Sequence, residues 1–334
     1  MSPDSGGGPA GGENLPDRPT RSVPSRDAFL PGPGEPWTPI GLTRWSGSYL
    51  VDKGIEGGRL DAELMLAHVL KLPRLDLYLQ HDRPLLPEEL DAFRALLKRR
   101  ANREPLQHIL GTVPFRELEL LSDPRALVPR PETEVLVEEV LAWVKEKDPG
   151  GVNSSLSSDG QDPRPLRAVD VGTGTGAIAL SLLKEGPFGR VVATDTSSEA
   201  LSIARENAEL HGLAGGLELR EGPLLTPLRP GEKFHVLVSN PPYVPTGDGP
   251  GLQPEVRDWD PPSAVFAGPE GLDVLNPLIA EAGAHIWPGG LLALEVGGDQ
   301  AGKVARIMEE TGVFSEIRIR PDLSGRERVV LGIA

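Results

Sequence analysis

The sequence has no cysteine among its 334 residues, which removes disulfides, thiolate nucleophiles and cysteine-based zinc sites from consideration. Its histidines, at 68, 81, 108, 211, 235 and 285, show no HExxH or other ligand spacing. They read as surface or packing residues, and no metal is expected. No run approaches the roughly 18 consecutive apolar residues of a membrane span, and the amino terminus lacks the apolar core of a secretory signal. A cytoplasmic protein is the expectation. Positive charge is also in deficit, with Lys+Arg 34 against Asp+Glu 49 and a net charge of -15. That balance disfavours a broad nonspecific grip on nucleic acid and suits protein or small-molecule substrates better.

What is present centres on Val236-Leu-Val-Ser239-Asn240-Pro241-Pro242-Tyr243. An apolar run followed by two prolines reads as a buried strand that stops abruptly, because proline has no N–H for a ladder and fixes φ. The carboxyl ends of strands in open α/β sheets are where ligands bind. A carboxamide, carbonyls left free by the prolines and an aromatic face on one stiff turn suit a planar NH2 group. Asn240 Oδ1 and the Pro241 carbonyl can accept its two hydrogens while Tyr243 stacks on its plane. An isolated Asn-Pro is equally a plain turn starter; the complete tetrapeptide behind an apolar run favours the functional reading.

Along the chain, residues 1–36 are rich in Gly, Pro, Ser and charge, with little to bury, and are expected to be a disordered tail. From 37 to 103 the apolar spacing is helical, as in Leu60 to Leu70 and Pro87 to Leu97, which predicts a small helical domain. Lys98-Arg99-Arg100 reads first as a helix end facing its macrodipole and second as a partner-binding patch. Over 104–130 the helical period is lost and Phe115 to Leu120 alternates, predicting a β-hairpin linker. Pro131 then starts a helix over Glu132 to Lys147, whose early acids fit a first turn. The stretch 149–165 reads as a surface insertion in a domain running from 131 to 334. Beyond it, strands and helices alternate: Leu166 to Val171, Ala177 to Lys184, Arg190 to Asp195, Ser198 to Leu210 and Leu217 to Arg220. This is the signature of a parallel, doubly wound α/β sheet. Thr196 and Glu199 are placed as a capping box for the second of these helices. Helices near Leu272 to Ile286 and Gln300 to Thr311 surround a strand at Leu291 to Val296. Two closing strands, Ser315 to Arg320 and Arg328 to Gly332, suggest an antiparallel edge hairpin.

Between the first strand and helix of that sheet lies Val169-Asp170-Val171-Gly172-Thr173-Gly174-Thr175-Gly176-Ala177, and Asp195 ends the second strand. Glycines let backbone approach a ligand, and an acid some twenty residues on can bind ribose hydroxyls. Both features serve NAD as well as S-adenosylmethionine, so glycine spacing leaves the two open. Asp170 discriminates: a carboxylate at the mouth of the loop repels a pyrophosphate and favours the cationic methyl donor.

With these elements in chain order the sequence resembles class I S-adenosylmethionine-dependent amino-methyltransferases. The motifs Arg103-Glu-Pro105-Leu-Gln107-His-Ile-Leu-Gly111, Val128-Pro-Arg-Pro-Glu-Thr-Glu134, Pro254-Glu255-Val256-Arg257 and Gly268-x-x-Gly271-Leu-Asp273 narrow the resemblance to the PrmC/HemK family of peptide chain release factor glutamine methyltransferases, from about Leu60 onward. The resemblance implies a Rossmann-like, mainly parallel seven-stranded sheet with an antiparallel edge hairpin, plus a helical amino-terminal domain that recognises substrate. It implies S-adenosylmethionine as cofactor, held by Asp170, Gly172, Thr173, Gly174, Thr175, Gly176 and Asp195, with Asn240 close by. The partners it implies are class 1 release factors, whose Gly-Gly-Gln glutamine would be held and methylated at Asn240, Pro241, Pro242 and Tyr243. Related enzymes place an acid and then a large apolar residue beside the adenine. This chain has Glu221-Gly222-Pro223-Leu224 there, which puts Pro223 among the cofactor residues and leaves the adenine contact open.

An amide nitrogen is a poor nucleophile, so such a site must act chiefly by orientation. The same tetrapeptide would also grip a ribosomal protein glutamine or a nucleic acid adenine, the alternative substrates. Binding without turnover, or a dinucleotide oxidoreductase, are readings of other classes. Methyl transfer to release factor separates the first, and cofactor-specific thermal protection the second.

Overall fold

The structure, a computed structural model, describes residues 26–147 and 166–334. Residues 1–25 of the expected tail and the whole 149–165 insertion lie outside the described residues. The chain divides into two compact units, one up to Phe93 and one from Arg94 to Ala334.

In the first unit, the part of the expected tail that is described contains a 3-10 turn at Arg26–Phe29. Helix α1 (Pro39–Asp52) opens with proline in its first turn, and the Thr38 hydroxyl accepts from the Gly41 N–H at 3.2 Å, a regular N-cap. It packs against α2 (Gly58–Leu70) where Gly47 meets Gly58, since a Cβ on Gly58 would fall 2.7 Å from the Gly47 carbonyl. A one-turn helix α3 (Asp76–Leu79) follows. The buried Glu63 is satisfied by three donors, Tyr78 at 2.6 Å and Arg59 and Arg74 at 3.0 Å. These charge-assisted bonds explain how a carboxylate is tolerated there. Helix α4 (Pro87–Ala101) begins in this unit and ends in the next.

In the second unit, Arg100 of the basic cluster is buried, whereas Arg99 is exposed. Arg99 binds Glu104, and Arg100 binds Glu255 at 2.8 Å with Arg103 beside it at 2.6 Å. The region expected to lack helix contains a single turn, α5 (Leu106–Leu110), started by Pro105 and ended by Gly111 at φ 80°. Strands β1 (Thr112–Phe115) and β2 (Leu118–Leu121) form the expected hairpin. Its Val113, Phe115, Leu118 and Leu120 share a core with α6 (Pro131–Lys147), so the hairpin is packed into this unit.

The remaining strands are β3 (Leu166–Val171), β4 (Phe188–Asp195), β5 (Leu217–Glu221), β6 (Phe234–Ser239), β7 (Ile286–Glu295), β8 (Glu316–Pro321) and β9 (Glu327–Ile333). They form a seven-stranded sheet of order β5-β4-β3-β6-β7-β9-β8, parallel except where β9 runs against β7 and β8. Helices α7 (Ala177–Glu185), α8 (Ser198–Leu210), α11 (Leu275–His285) and α12 (Ala301–Glu310) cover it. Two one-turn helices, α9 (Pro254–Arg257) and α10 (Pro262–Val265), lie in the loop after β6. Successive residues of β6 alternate between two cores, Val236 and Val238 toward α6 and α7, Leu237 toward α11 and α12. That is why the strand reads as continuous apolar sequence. The cap of α8 differs from expectation: Ser197, not Thr196, is the N-cap, its hydroxyl accepting from Ala200 N–H at 3.1 Å. Strand β7 also starts at Ile286, ahead of the expected Leu291, because Trp287 to Gly290 form an irregularity in its pairing with β6.

The order sets the site. The chain winds outward from β3 to β5, then returns to β6 on the other side of β3. This is a topological switch point, where the loops after adjacent strands diverge and leave a crevice. Asp170 is in register with Val238, so Gly172 and Asn240 leave the sheet side by side.

Candidate active site

A cavity of about 730 Å³ opens at this switch point, a size typical of sites for small molecules. It is lined by Gly172, Gly174, Ser239, Asn240, Pro241 and Pro242, together with Asp195 and with Gly222, Pro223 and Leu224. Gly172 holds φ 73°, and a Cβ built there has no atom within 4 Å. A side chain at this cavity-lining position would project into open space, so glycine leaves a backbone cradle for a ligand.

The two acids flanking the loop have different fates. Asp170 is not at the mouth of the loop as expected; it is fully buried behind it, with Oδ2 accepting from the Thr173 hydroxyl at 2.7 Å and the Ala179 N–H at 3.2 Å. Burial pushes its carboxyl up to about 7, with nearby Asp195 adding to the rise. Its bonds to Thr173 and Ala179 shape the loop, and it is not among the residues that line the cavity. Asp195 does line the cavity, and its two oxygens accept from Gly174 N–H at 3.0 Å and Ser197 N–H at 2.9 Å. A carboxylate has about four acceptor positions, so two are left for hydroxyl donors of a ligand. The charge discrimination therefore moves from Asp170 to the walls. Asp195, Glu199, Asp258, Asp260 and Asp273 line the cavity, Asp258 paired with Arg257 and Asp260 with Arg130, and the one cation among the lining residues, Arg125, is held by Asp123 and Glu206. Such a cavity favours a cationic ligand over a pyrophosphate.

Three other expected loop residues face inward. Thr173 serves Asp170, the Thr175 carbonyl accepts from Asn207 Nδ2 at 3.0 Å, and Gly176 is the left-handed N-cap of α7. Asn207 also pairs with both backbone groups of Leu121, fastening the hairpin to the glycine loop.

On the β6 side, Asn240 Nδ2 donates to the Thr133 hydroxyl at 2.9 Å, and that hydroxyl donates to Glu295 Oε2 at 2.7 Å. Tyr243 is half-buried with its hydroxyl on Glu295 Oε1 at 3.3 Å. Tyr243, expected to stack on the substrate, is not among the residues that line the cavity. Burial pushes Glu295 up to about 7, opposed by its bonds from Thr133 and Tyr243. Gly271 explains the later glycine motif: Gln300 Nε2 spans the Tyr243 and Glu270 carbonyls at 2.9 and 3.1 Å, where a Cβ on Gly271 would fall.

Sequence reasoning missed Thr133, whose motif it read as helix capping, and Glu295. A lone acid ending the apolar run Leu291-Leu-Ala-Leu294 was the available signal, since a buried carboxylate needs a partner. Also missed were the Pro124 to Leu127 and Asp258 to Ala264 walls. The second is anchored by buried Asp260, which pairs with Arg130 and accepts from Val128 N–H.

The sheet order, the glycine cradle, the strand-end acid and the Asn-Pro-Pro-Tyr turn define a class I methyltransferase, and its methyl donor is S-adenosylmethionine. The family models described as "PrmC N-terminal domain" and "Methyltransferase small domain" match residues 42–111 and 156–249. A release factor glutamine methyltransferase of Geobacter sulfurreducens is 40% identical over 298 residues, 89% of this chain and 97% of that protein. One from Deinococcus radiodurans is 43% identical over 281 residues, 84% of this chain and 93% of that protein. This chain belongs to the release factor glutamine methyltransferase family. No helix of the described residues is long and apolar enough to cross a membrane.

Proposed function

We propose that this enzyme methylates the side-chain amide nitrogen of the glutamine in the Gly-Gly-Gln motif of class 1 peptide chain release factors, in the cytoplasm. The observation that carries the reading is a pair of acceptors at the cavity wall. Asn240 has its Nδ2 taken by Thr133, and among the described residues no donor reaches its Oδ1 or the Pro241 carbonyl. Two fixed acceptors beside a cofactor-sized cavity match the two hydrogens of a primary amide. The relatives' names point to the glutamine and the release factor.

The residues then divide the work. Gly172 and Gly174 let backbone approach the cofactor, Asp195 uses its remaining lone pairs on ribose hydroxyls, and Pro223 forms the adjoining wall. When bound, S-adenosylmethionine supplies an electrophilic methyl group on a sulfonium. Asn240 and Pro241 hold both amide hydrogens, which fixes the nitrogen's orientation and raises its electron density. Pro242 stiffens this turn and Tyr243 supports it through Glu295. Asn240 is neutral, so it holds protons in place and does not remove them; the one proton the nitrogen gives up on methylation passes to water. The helical region 37–103 is assigned to recognition of the release factor. The test is mass spectrometry of a purified release factor after incubation with this protein and S-adenosylmethionine. One added methyl on the Gly-Gly-Gln glutamine is expected. An unmodified release factor, with label entering a ribosomal protein or nucleic acid, would overturn the assignment.

A further inference from the structure

The carboxamide of Asn240 has two orientations of nearly identical shape, and only one presents an acceptor to the cavity. We infer that Thr133 and Glu295 are positioning residues that set this orientation through a one-directional hydrogen-bond relay; the inference rests on the functional reading above and deepens it. The three groups come from distant parts of the chain. Asn240 directly follows β6, Thr133 lies in the first turn of α6, and Glu295 is the last residue of β7. Both supporting residues are buried, Thr133 at 4% and Glu295 at 1% exposure, so water does not compete for their hydrogen bonds.

Donor and acceptor chemistry fixes the polarity. Above about pH 7 Glu295 is ionised and only accepts; its Oε2 lies 2.7 Å from Thr133 Oγ1, so there the single hydroxyl hydrogen goes to Glu295. The Tyr243 hydroxyl approaches the other oxygen, Oε1, at 3.3 Å. With its hydrogen committed, Thr133 Oγ1 can only accept from Asn240 at 2.9 Å. The group of Asn240 facing it must therefore be the NH2, and Oδ1 must face the other way. The backbone N–H of Thr133 is engaged by the Arg130 carbonyl at 3.0 Å, so it cannot substitute in the relay. If Glu295 is replaced by glutamine, an NH2 can face Thr133. The hydroxyl hydrogen is then released toward Asn240, and the carboxamide can turn over. It would present a donor to the donor NH2 of the substrate, a repulsive pairing. Thr133 of the Pro-Glu-Thr-Glu motif thereby gains a role that helix capping does not give it.

The test compares Thr133→Val, Thr133→Ser, Glu295→Gln and the Thr133→Val/Glu295→Gln double variant in release factor methylation. Thr133→Val is expected to lower kcat about tenfold to a hundredfold, the cost of a misplaced reacting group, while KM for S-adenosylmethionine stays within about twofold of wild type by the same argument. Thr133→Ser, which keeps the hydroxyl, restores most of the lost kcat. The double variant is no worse than the poorer single one, because both changes break the same relay. Wild-type kcat in Thr133→Val, or losses that multiply in the double variant, would overturn the relay. A second measurement needs no substrate: NMR of protein labelled with 15N-asparagine. One Asn240 side-chain amide hydrogen should exchange slowly in wild type and Thr133→Ser, and rapidly in Thr133→Val. Rapid exchange of both hydrogens in the wild type overturns the relay even if the substrate is something other than a release factor. A wild type that leaves release factor unmethylated while that amide hydrogen is protected overturns the functional reading alone.

Discussion

Substituting Gly271 by alanine tests how the Asn-Pro-Pro-Tyr turn is pinned. Gly271 holds φ 72°, and a Cβ there would fall 2.1 Å from the Tyr243 carbonyl oxygen and 2.5 Å from Gln300 Nε2. A left-handed backbone costs a non-glycine residue about 1–2 kcal/mol. The added carbon must also separate Gln300 from the Tyr243 and Glu270 carbonyls, two hydrogen bonds of about 1 kcal/mol each. The sum is about 3–4 kcal/mol, and at roughly 2–4 °C per kcal/mol for a unit of this size the Tm falls by roughly 6–16 °C. Because the displaced carbonyl belongs to Tyr243, kcat should fall with it. Gly172→Ala is the control: φ is similar at 73°, but no atom lies within 4 Å. Only the backbone cost of about 1–2 kcal/mol applies there, and the new methyl should instead weaken S-adenosylmethionine binding. Scanning calorimetry and kcat measurements on both variants decide the matter. Equal drops in Tm, or Gly271→Ala with wild-type Tm and kcat, would refute the steric argument.

Asp195→Asn keeps the shape but removes the charge that accepts from Gly174 and Ser197. It should weaken S-adenosylmethionine binding about tenfold to a hundredfold by calorimetric titration, since charge-assisted bonds are roughly twice as strong as neutral ones. Asn207→Leu removes the partner of the Leu121 N–H and carbonyl and of the Thr175 carbonyl; three lost hydrogen bonds of about 1 kcal/mol each should cost about 3 kcal/mol in urea unfolding. Asp170 carries the pH prediction. Its carboxyl is raised from 3.8 to about 7 in the folded protein, so the folded state binds more protons than the unfolded between those values. Its contribution is fully present below about pH 4 and is lost as pH rises through about 7. Measured against Asp170→Asn, the wild type should therefore lose relative stability between pH 4 and 8. A constant difference across that range would contradict the assignment.

The sequence by itself determined the local chemistry. Proline pairs, apolar runs and alternating glycines have conformational consequences within a few residues, which is why β3, α8 and the stop after β6 lie at or near their expected places. The Asn-Pro-Pro-Tyr turn and the glycine loop stood out as candidate ligand segments for the same reason, and residues of both line one cavity. The tertiary structure decided everything that depends on burial or on contact across the chain. Asp170 and Asp195 are the same residue type beside the same loop. Burial raises the pKa of one and keeps it behind the loop, and leaves the other lining the cavity. Ser197, not its neighbour Thr196, became the cap because its hydroxyl reaches the Ala200 N–H. Thr133 and Glu295 meet although 162 positions separate them, since α6 packs where β7 ends beside β6. No short-range pattern encodes that meeting. The order of strands at the switch point creates it, and with it the direction in which Asn240 faces.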